Sequence, residues 1–552
     1  SGDRDFKIKL VEAAKLPDRM VFVPGGQYKL ASRARPTEAR AELDDYFIDK
    51  YEVSNREFKE FVSAGGYFKP ELWKHPFVKD GRSLTFDEAM KEFRDRTGLP
   101  GPRSWSGQNF AEGKAEHPVT DITWHEAAAY AAFRGKQLPS VYQWEKAARN
   151  GLFIYNSGYA LPWGAMEFGG TVVGHANFNG SGTVPVNSFP FGASPFGCYQ
   201  MAGNVSEWCA NAVTDGFTVA GGSWKELFYV FTDIGAFPGF HNSDRIGFRC
   251  VLNVSGAKGD QGSSRIDTAS LIPNFTPTST ASFQSLLSHY RYDRSPLEPQ
   301  IIETIETADW RREKIAYLSA GLSGADERAI GYLYLPKSSR APFQIIQFVP
   351  AGDVYGNFTT VRESVEMQVA PFIKSGRAVW AVVFKGFKER EYPVGFARPG
   401  YRTVRRREEV VRNATDLSRG LDYLATRGDM DLNRLAYYGY SQGAQEGVMY
   451  SAIESRYRSV VFVAGSMAPG SVNFIAEASP PNFAAHIRAP KLLLNGRYDE
   501  VNPLRTSVEP LFKLLREPKR MQVYDAGHSP PLEIIVPVIN GWLDETLGKV
   551  VR

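Results

Sequence analysis

A serine, an aspartate and a histidine that together are capable of acyl transfer occur in that order in the last quarter of this chain, each in a distinctive local setting. Ser441 lies in RLAYYGYSQGAQEGVMYSAIE, residues 434–454, where a short β-rich run at 435–438 meets Gly439-Tyr440-Ser441-Gln442-Gly443 and then a helix-forming stretch. Strand, tight turn and helix predict a nucleophile elbow. The serine takes a strained backbone conformation, and glycines two residues before and after it remove side chains that would collide with strand and helix. Its Oγ is then expected above a helix N-terminus, whose dipole favours negative charge. An ordinary loop turn can also produce Gly-x-Ser-x-Gly, so the reading depends on finding partners for the serine.

A serine hydroxyl is a poor nucleophile at neutral pH and needs a base, usually imidazole. Beyond residue 282 the chain offers His289, His486 and His528. His289 precedes the strand-like segments, and His486, in NFAAHIRAPKLLL, sits where a helix runs into a strand, a setting for a packed or solvated side chain. His528 follows the β-rich run 520–524 in MQVYDAGHSPP, and Gly527, Pro530 and Pro531 around it mark a loop at a strand end. The imidazole in turn needs a carboxylate, expected between serine and histidine on a loop after the penultimate strand. In KLLLNGRYDEVNP, residues 491–495 read as an apolar strand and Asp499 follows a glycine-bearing turn; Glu500 is the neighbouring alternative, and Asp525 reads as a turn former. Such a carboxylate would hold the imidazole tautomer and stabilise the imidazolium.

The developing oxyanion needs N–H donors, one from the residue after the nucleophile, Gln442, and one from a loop after the third strand. FQIIQFVPAGDVYGN gives an apolar strand at 343–349 and then Pro-Ala-Gly-Asp, which points to Gly352, with Ala351 and Asp353 as neighbours. Through YYGYSQGA, LLLNGRYDEVNP and DAGHSPP, residues 300–548 resemble the alpha/beta hydrolases, particularly the dienelactone-hydrolase-like and prolyl-oligopeptidase-like branches. The resemblance implies hydrolysis of a small-molecule carboxylic ester, or of an amide, through an acyl-serine intermediate, with no cofactor required. Serine rather than cysteine at position 441 departs from true dienelactone chemistry, and no propeller-like repeat precedes this half as it would in an oligopeptidase.

Such loops need a sheet that presents them on one edge. After residue 300, strand-like apolar runs alternate with amphipathic helical stretches, which predicts an α/β architecture with a mostly parallel sheet. The segment 467–483, between the sixth strand and Asp499, reads as a small lid, and Tyr355, Phe358 and Phe387 as pocket-lining or packing residues. A chain of 552 residues exceeds one ordinary core and suits two domains of roughly 250 residues each. The polar stretch 254–282, rich in Ser, Thr, Gly and Pro, reads as the linker. The expected division is an extension at 1–19, a first domain at 20–253, a linker and lead-in at 254–299, and the hydrolase-like domain at 300–552.

The first domain shows small clusters of Trp, Gly and charge: VPGGQY, YEVSNREFKEFV, LPWG, FGCYQMAGNVSEW, AGGSW and a closing IGFRC. Residues 127–133 and 142–148 read as short amphipathic helices, and physics alone says a compact, loop-rich domain. The pattern closely resembles the formylglycine-generating enzyme family, which implies a C-type-lectin-like α+β fold. In that family two cysteines after Gly-Gly-Ser bind copper; the matching positions in GGSWKELFYVF carry Glu226 and Phe231, neither of them a soft thiolate ligand. Cys198, Cys209 and Cys250 fall elsewhere and are expected to be structural. The resemblance thus implies a binding or scaffolding module, which would wall the hydrolase mouth or recruit a partner. It also implies a structural calcium held by Gln200, Gly203, Val205 and Glu207, hard oxygen donors, although Gln200 stands where a shorter Asn or Asp is usual.

With 65 basic against 61 acidic residues, no sustained field of one sign calls for nucleic acid. The dense basic run, Arg402 with Arg405, Arg406 and Arg407, reads as a solvated helix face. No apolar stretch approaches the roughly 20 residues that span a bilayer. The start, Ser-Gly-Asp-Arg-Asp, has no initiator Met and reads as a processing site or an imposed boundary. Multidomain bacterial proteins with an upstream serine/threonine kinase share this domain order, so a kinase domain upstream is a further expectation, and the compartment stays open.

Overall fold

The computed structural model describes residues 12, 16–30, 40–150, 158–167, 172, 174–213, 216–226, 228–232, 234–254, 262, 276–319, 328–352, 361–390, 400, 402–467, 474–497, 499, 501–524, 526–528 and 532–551. The chain divides into two compact units, Ser1–Thr268 and Ala269–Arg552.

Regular elements in the first unit are short. Met20–Val23 and Val251–Asn253 flank Tyr46–Asp49 in an antiparallel sheet, so the early and late strands of the unit share one neighbour. A second sheet centres on Ser206–Val213 and Gly216–Ala220, with Ile246–Gly247 and Gly235–Phe237 at its edges. The two expected helices span Trp124–Phe133 and Val141–Arg149, starting earlier than apolar periodicity alone suggests. Reciprocal capping sets those starts. The Thr123 hydroxyl accepts from the Glu126 N–H while the Glu126 carboxylate accepts from the Thr123 N–H, and Ser140 with Gln143 repeats the pattern.

Glu126 also accepts from the Tyr67 hydroxyl at 2.6 Å, and burial pushes its carboxyl up from 4.5 to about 7. A folded-state value above the unfolded one means that folding favours the protonated acid. The contribution is complete below pH 4.5 and fades as the pH climbs towards 7, a change on the order of 3 kcal/mol. Glu126→Gln keeps an acceptor for the cap and carries no charge. It is expected to protect the 124–133 backbone more strongly than wild type at pH 7.5 and about equally at pH 4.5. Amide hydrogen exchange of that peptide, corrected for intrinsic rates, reads the difference; equal protection at pH 7.5 would contradict a buried ionisation penalty.

The second unit is built on a nine-stranded sheet. In chain order its strands are β1 (Gln300–Glu306), β2 (Trp310–Leu318), β3 (Arg328–Pro336), β4 (Phe343–Val349), β5 (Ala378–Val383), β6 (Met430–Tyr440), β7 (Ser459–Val463), β8 (Lys491–Gly496) and β9 (Lys519–Tyr524). They lie side by side as β1-β2-β3-β5-β4-β6-β7-β8-β9. The run from β5 to β9 is parallel, and β1, β2 and β3 join antiparallel at one side. The strand expected as third is therefore fourth in the chain, because β1, with its exposed residues, precedes the packed sheet.

Helices α1 (Val361–Lys374), α2 (Val404–Ala425), α3 (Gln442–Ile453) and α4 (Leu532–Leu547) accompany the parallel strands. Because helices cover parallel sheets, central strands bury successive residues on both faces. β7 and β8 are buried throughout, as is β6 from Leu435 to Tyr440, and the sequence there is apolar without alternation. The second unit has the α/β-hydrolase architecture, and its strand order places the loops after β4, β6, β8 and β9 at the carboxyl ends of parallel strands. Among the described residues, no helix is long and apolar enough to cross a membrane.

Candidate active site

Ser441 caps the N-terminus of α3 with φ 50° and ψ −110°, a conformation that costs a non-glycine residue on the order of 1–3 kcal/mol. Its neighbours make the turn sterically feasible. A methyl group on Gly439 would lie 2.4 Å from the Gly443 carbonyl oxygen, and one on Gly443 would lie 2.1 Å from that of Val349. The Tyr437 hydroxyl, buried in β6, donates to the Gly443 carbonyl at 2.6 Å and ties strand to helix beneath the serine.

Three loops converge here. Ser441 Oγ lies 2.8 Å from His528 Nε2, and His528 Nδ1 lies 2.9 Å from both carboxylate oxygens of Asp499. All three residues are buried, with Ser441 at 9% exposure and Asp499 at 3%. Asp499 Oδ1 accepts from the N–H groups of Val501 and Asn502, an Asx-type turn that fixes the carboxylate before it meets the imidazole. With Asp499 as acceptor, Nδ1 carries the proton and Nε2 is left to accept one from Ser441.

Gln442 is the first residue of α3, where the helix supplies no acceptor for the backbone N–H. Gly352, two positions past the Pro350 that follows β4, faces it closely: a methyl on Gly352 would lie 2.6 Å from Gln442 Oε1. The structure thus brings Ser441, His528, Asp499, Gln442 and Gly352 into one place. Asp353, Tyr355, Phe358, Glu500, Asp525, Pro530 and Pro531 lie outside the described residues, as does 468–473 of the expected lid. Phe387 is buried against Phe384. His486 stacks on Phe283 with ring centroids 3.9 Å apart and approaches the Thr278 carbonyl at 2.8 Å, and His289 pairs with Glu477; both stand apart from the site.

Two further residues support the site. Asn502 donates through Nδ2 to the Ala464 carbonyl at 2.7 Å and accepts at Oδ1 from Gln445 Nε2 at 2.8 Å, joining the Asp499 loop to α3 and to the end of β7. The signal was the spacing Asp499-Glu500-Val501-Asn502, that of an Asx turn. Arg406, in the basic run expected to form a solvated helix face, is instead buried at 3%, paired with Glu409 and with Glu446 of α3. Arg402 and Arg405 of that run are exposed.

At the expected calcium ligands of the first unit the Glu207 carboxylate is paired with a guanidinium, while the buried Gln200 Oε1 has no hydrogen-bond partner among the described residues. Glu207 is fully buried, and its carboxylate takes Arg249 Nε and Nη2 at 2.6 Å each and Trp144 Nε1 at 2.8 Å. A cation bound by Glu207 would sit against the guanidinium. Gln200 donates through Nε2 to the Ser188 carbonyl, while Gly203 and Val205 lie in the turn before Ser206–Val213. The arginine places a positive charge at the carboxylate that the resemblance assigns to calcium. This arginine stands 42 residues further on, in the closing IGFRC segment.

At the positions matched to copper-binding cysteines, Glu226 accepts from the Ser223 N–H at 2.6 Å and pairs with Arg245 at 3.2 Å. Phe231 is buried, with Trp144 beside it and the Arg149 guanidinium 5.3 Å from its ring. Cys198, Cys209 and Cys250 are buried free thiols that burial pushes up, Cys198 to about 11, so they stay protonated at neutral pH.

Comparison with known proteins separates the two units. Residues 7–254 match the sulfatase-modifying factor enzyme 1-like domain. Over 238 residues the chain is 32% identical to the formylglycine-generating enzyme of Thermomonospora curvata, an alignment covering 38% of this chain and 76% of that protein. Over 279 residues it is 30% identical to the inactive C-alpha-formylglycine-generating enzyme 2 of Bos taurus, covering 44% of this chain and 90% of that protein. Among solved structures, an acetyl xylan esterase from Paenibacillus sp. R4 superposes with a TM-score of 0.39 at 18% identity, covering 50% of this chain and 97% of that one.

Proposed function

Since the chain belongs, through its first unit, to the formylglycine-generating enzyme family, with Glu226 and Phe231 where that family carries its copper ligands, we propose that its chemistry resides in the second unit as a serine carboxylic ester hydrolase. One observation carries the reading: the Ser441 hydroxyl is 2.8 Å from an imidazole whose other nitrogen is 2.9 Å from a buried carboxylate. His528 Nε2 takes the proton as Ser441 Oγ bonds to the acyl carbon, and Asp499 stabilises the imidazolium. The N–H groups of Gln442 and Gly352 face the oxyanion, which collapses as the alcohol leaves with the proton from His528. A water molecule, deprotonated by the same imidazole, then attacks the acyl-serine, releases the acid and restores the hydroxyl. Ester plus water gives acid plus alcohol, and no metal or redox partner enters.

In this reading the first unit is a non-catalytic binding or scaffolding module. A fluorophosphonate probe should label the full chain once, at Ser441, as read by peptide mass spectrometry. An unlabelled Ser441 in folded protein would favour a sensor or binding protein in which the hydrolase fold has lost its chemistry.

A further inference from the structure

Behind the elbow lies a buried charged network that the acyl-transfer chemistry does not use. Glu446 sits one turn along α3 from Gln442, and its carboxylate is saturated. Its Oε1 accepts from Gln442 Nε2 at 3.0 Å and from Arg406 Nη2 at 2.5 Å, and its Oε2 accepts from the Tyr450 hydroxyl at 2.8 Å. Arg406, from the first turn of α2, is itself paired with Glu409. Both Arg406 and Glu446 are buried, at 3% and 6%.

A buried ion pair contributes little net stability, because desolvation offsets the attraction, and apolar side chains could fill the same volume. Its geometric effect is specific. With Gln442 Nε2 held by Glu446, the amide cannot flip, and Oε1 is the atom turned to Gly352. Gly352 accommodates that oxygen only because it has no side chain, since a methyl there would come within 2.6 Å of it.

We propose that Arg406 and Glu446 are positioning residues, which hold the Gln442 side chain against Gly352 and thereby set the spacing between the two loops whose N–H groups face the oxyanion. The inference rests on the hydrolase reading and deepens it. Both residues act through Gln442 and lie outside the Ser441–His528–Asp499 set, so their removal should affect the transition state more than ground-state binding. Displacing reacting groups by about 1 Å can cost on the order of 100-fold.

The test is steady-state hydrolysis of p-nitrophenyl butyrate by the full chain. Glu446→Leu is expected to lower kcat by about 30-fold with KM within about 2-fold. Glu446→Gln keeps an acceptor for Gln442 Nε2 and should stay within about 3-fold of wild type. Gln442→Ala should match Glu446→Leu, and the double variant should be no worse than about 2-fold below the weaker single variant, because both remove one device. Unchanged kcat in Glu446→Leu, a loss confined to KM, or additive losses in the double variant would overturn the proposal. If Glu446→Leu does not fold, Gln442→Ala decides alone: a kcat loss at constant KM supports the device, and an unchanged kcat removes it. Failure of the hydrolase reading looks different, since wild type would then show no turnover that Ser441→Ala abolishes.

Discussion

Ser441→Ala is expected to lower kcat/KM for p-nitrophenyl acetate and butyrate by about 10⁵-fold without lowering the melting temperature of the second unit. The large effect follows from the proposed role: in that reaction Oγ is the atom that bonds to the acyl carbon, and His528 Nε2, 2.8 Å away, would have no proton to take from it. Residual turnover should come from the oxyanion donors acting on water. The fold should tolerate the change, because Gly439 and Gly443 leave the turn the same space when the hydroxyl is gone. Equal rates for the two proteins would remove Ser441 from the chemistry.

The second large effect concerns stability. Arg249→Met should destabilise the first unit by about 3–5 kcal/mol, because it strands the Glu207 carboxylate without its counter-charge in a fully buried site. At the size of this unit that corresponds to a fall of about 10 °C in its calorimetric transition. More is lost than one ion pair: the guanidinium also donates to the carbonyls of Asp49, Lys50 and Tyr199, linking the strand Tyr46–Asp49 to the loop before Ser206–Val213. Adding Glu207→Gln, which keeps an acceptor for the Trp144 indole, should recover part of the loss. A wild-type melting temperature in Arg249→Met would show that the carboxylate has another partner. The same measurement with calcium and with chelator should show no shift in wild type.

The elbow was legible because backbone sterics leave a residue signature: only glycine fits at positions 439 and 443, and glycine on both sides of a serine is visible in a sequence. Asp499 was legible because it follows an apolar run that reads as a buried strand, and His528 because a β-rich run and then a glycine-bearing turn precede it. The capped helix starts were equally present, as T-W-H-E and S-V-Y-Q, but apolar periodicity hides them, since it begins after the cap. The Arg406–Glu446 and Arg249–Glu207 pairs were not legible. Each joins residues some 40 positions apart, and a charged side chain looks the same in sequence whether it meets water or a partner. The sequence therefore marks Glu207 as an expected calcium ligand without showing its pairing with Arg249.

The strands Met20–Val23 and Val251–Asn253 border the same central strand, with Met20 opposite Asp49 and Asn253 opposite Tyr46. The polypeptide therefore enters and leaves this fold within about 15 Å. The two ends stand on either side of that strand and at its opposite ends, so a host chain running through this fold would advance along the strand's length. A circularly permuted version should fold if the peptide joining the old ends is long enough, on the order of a dozen residues, to cross over that strand.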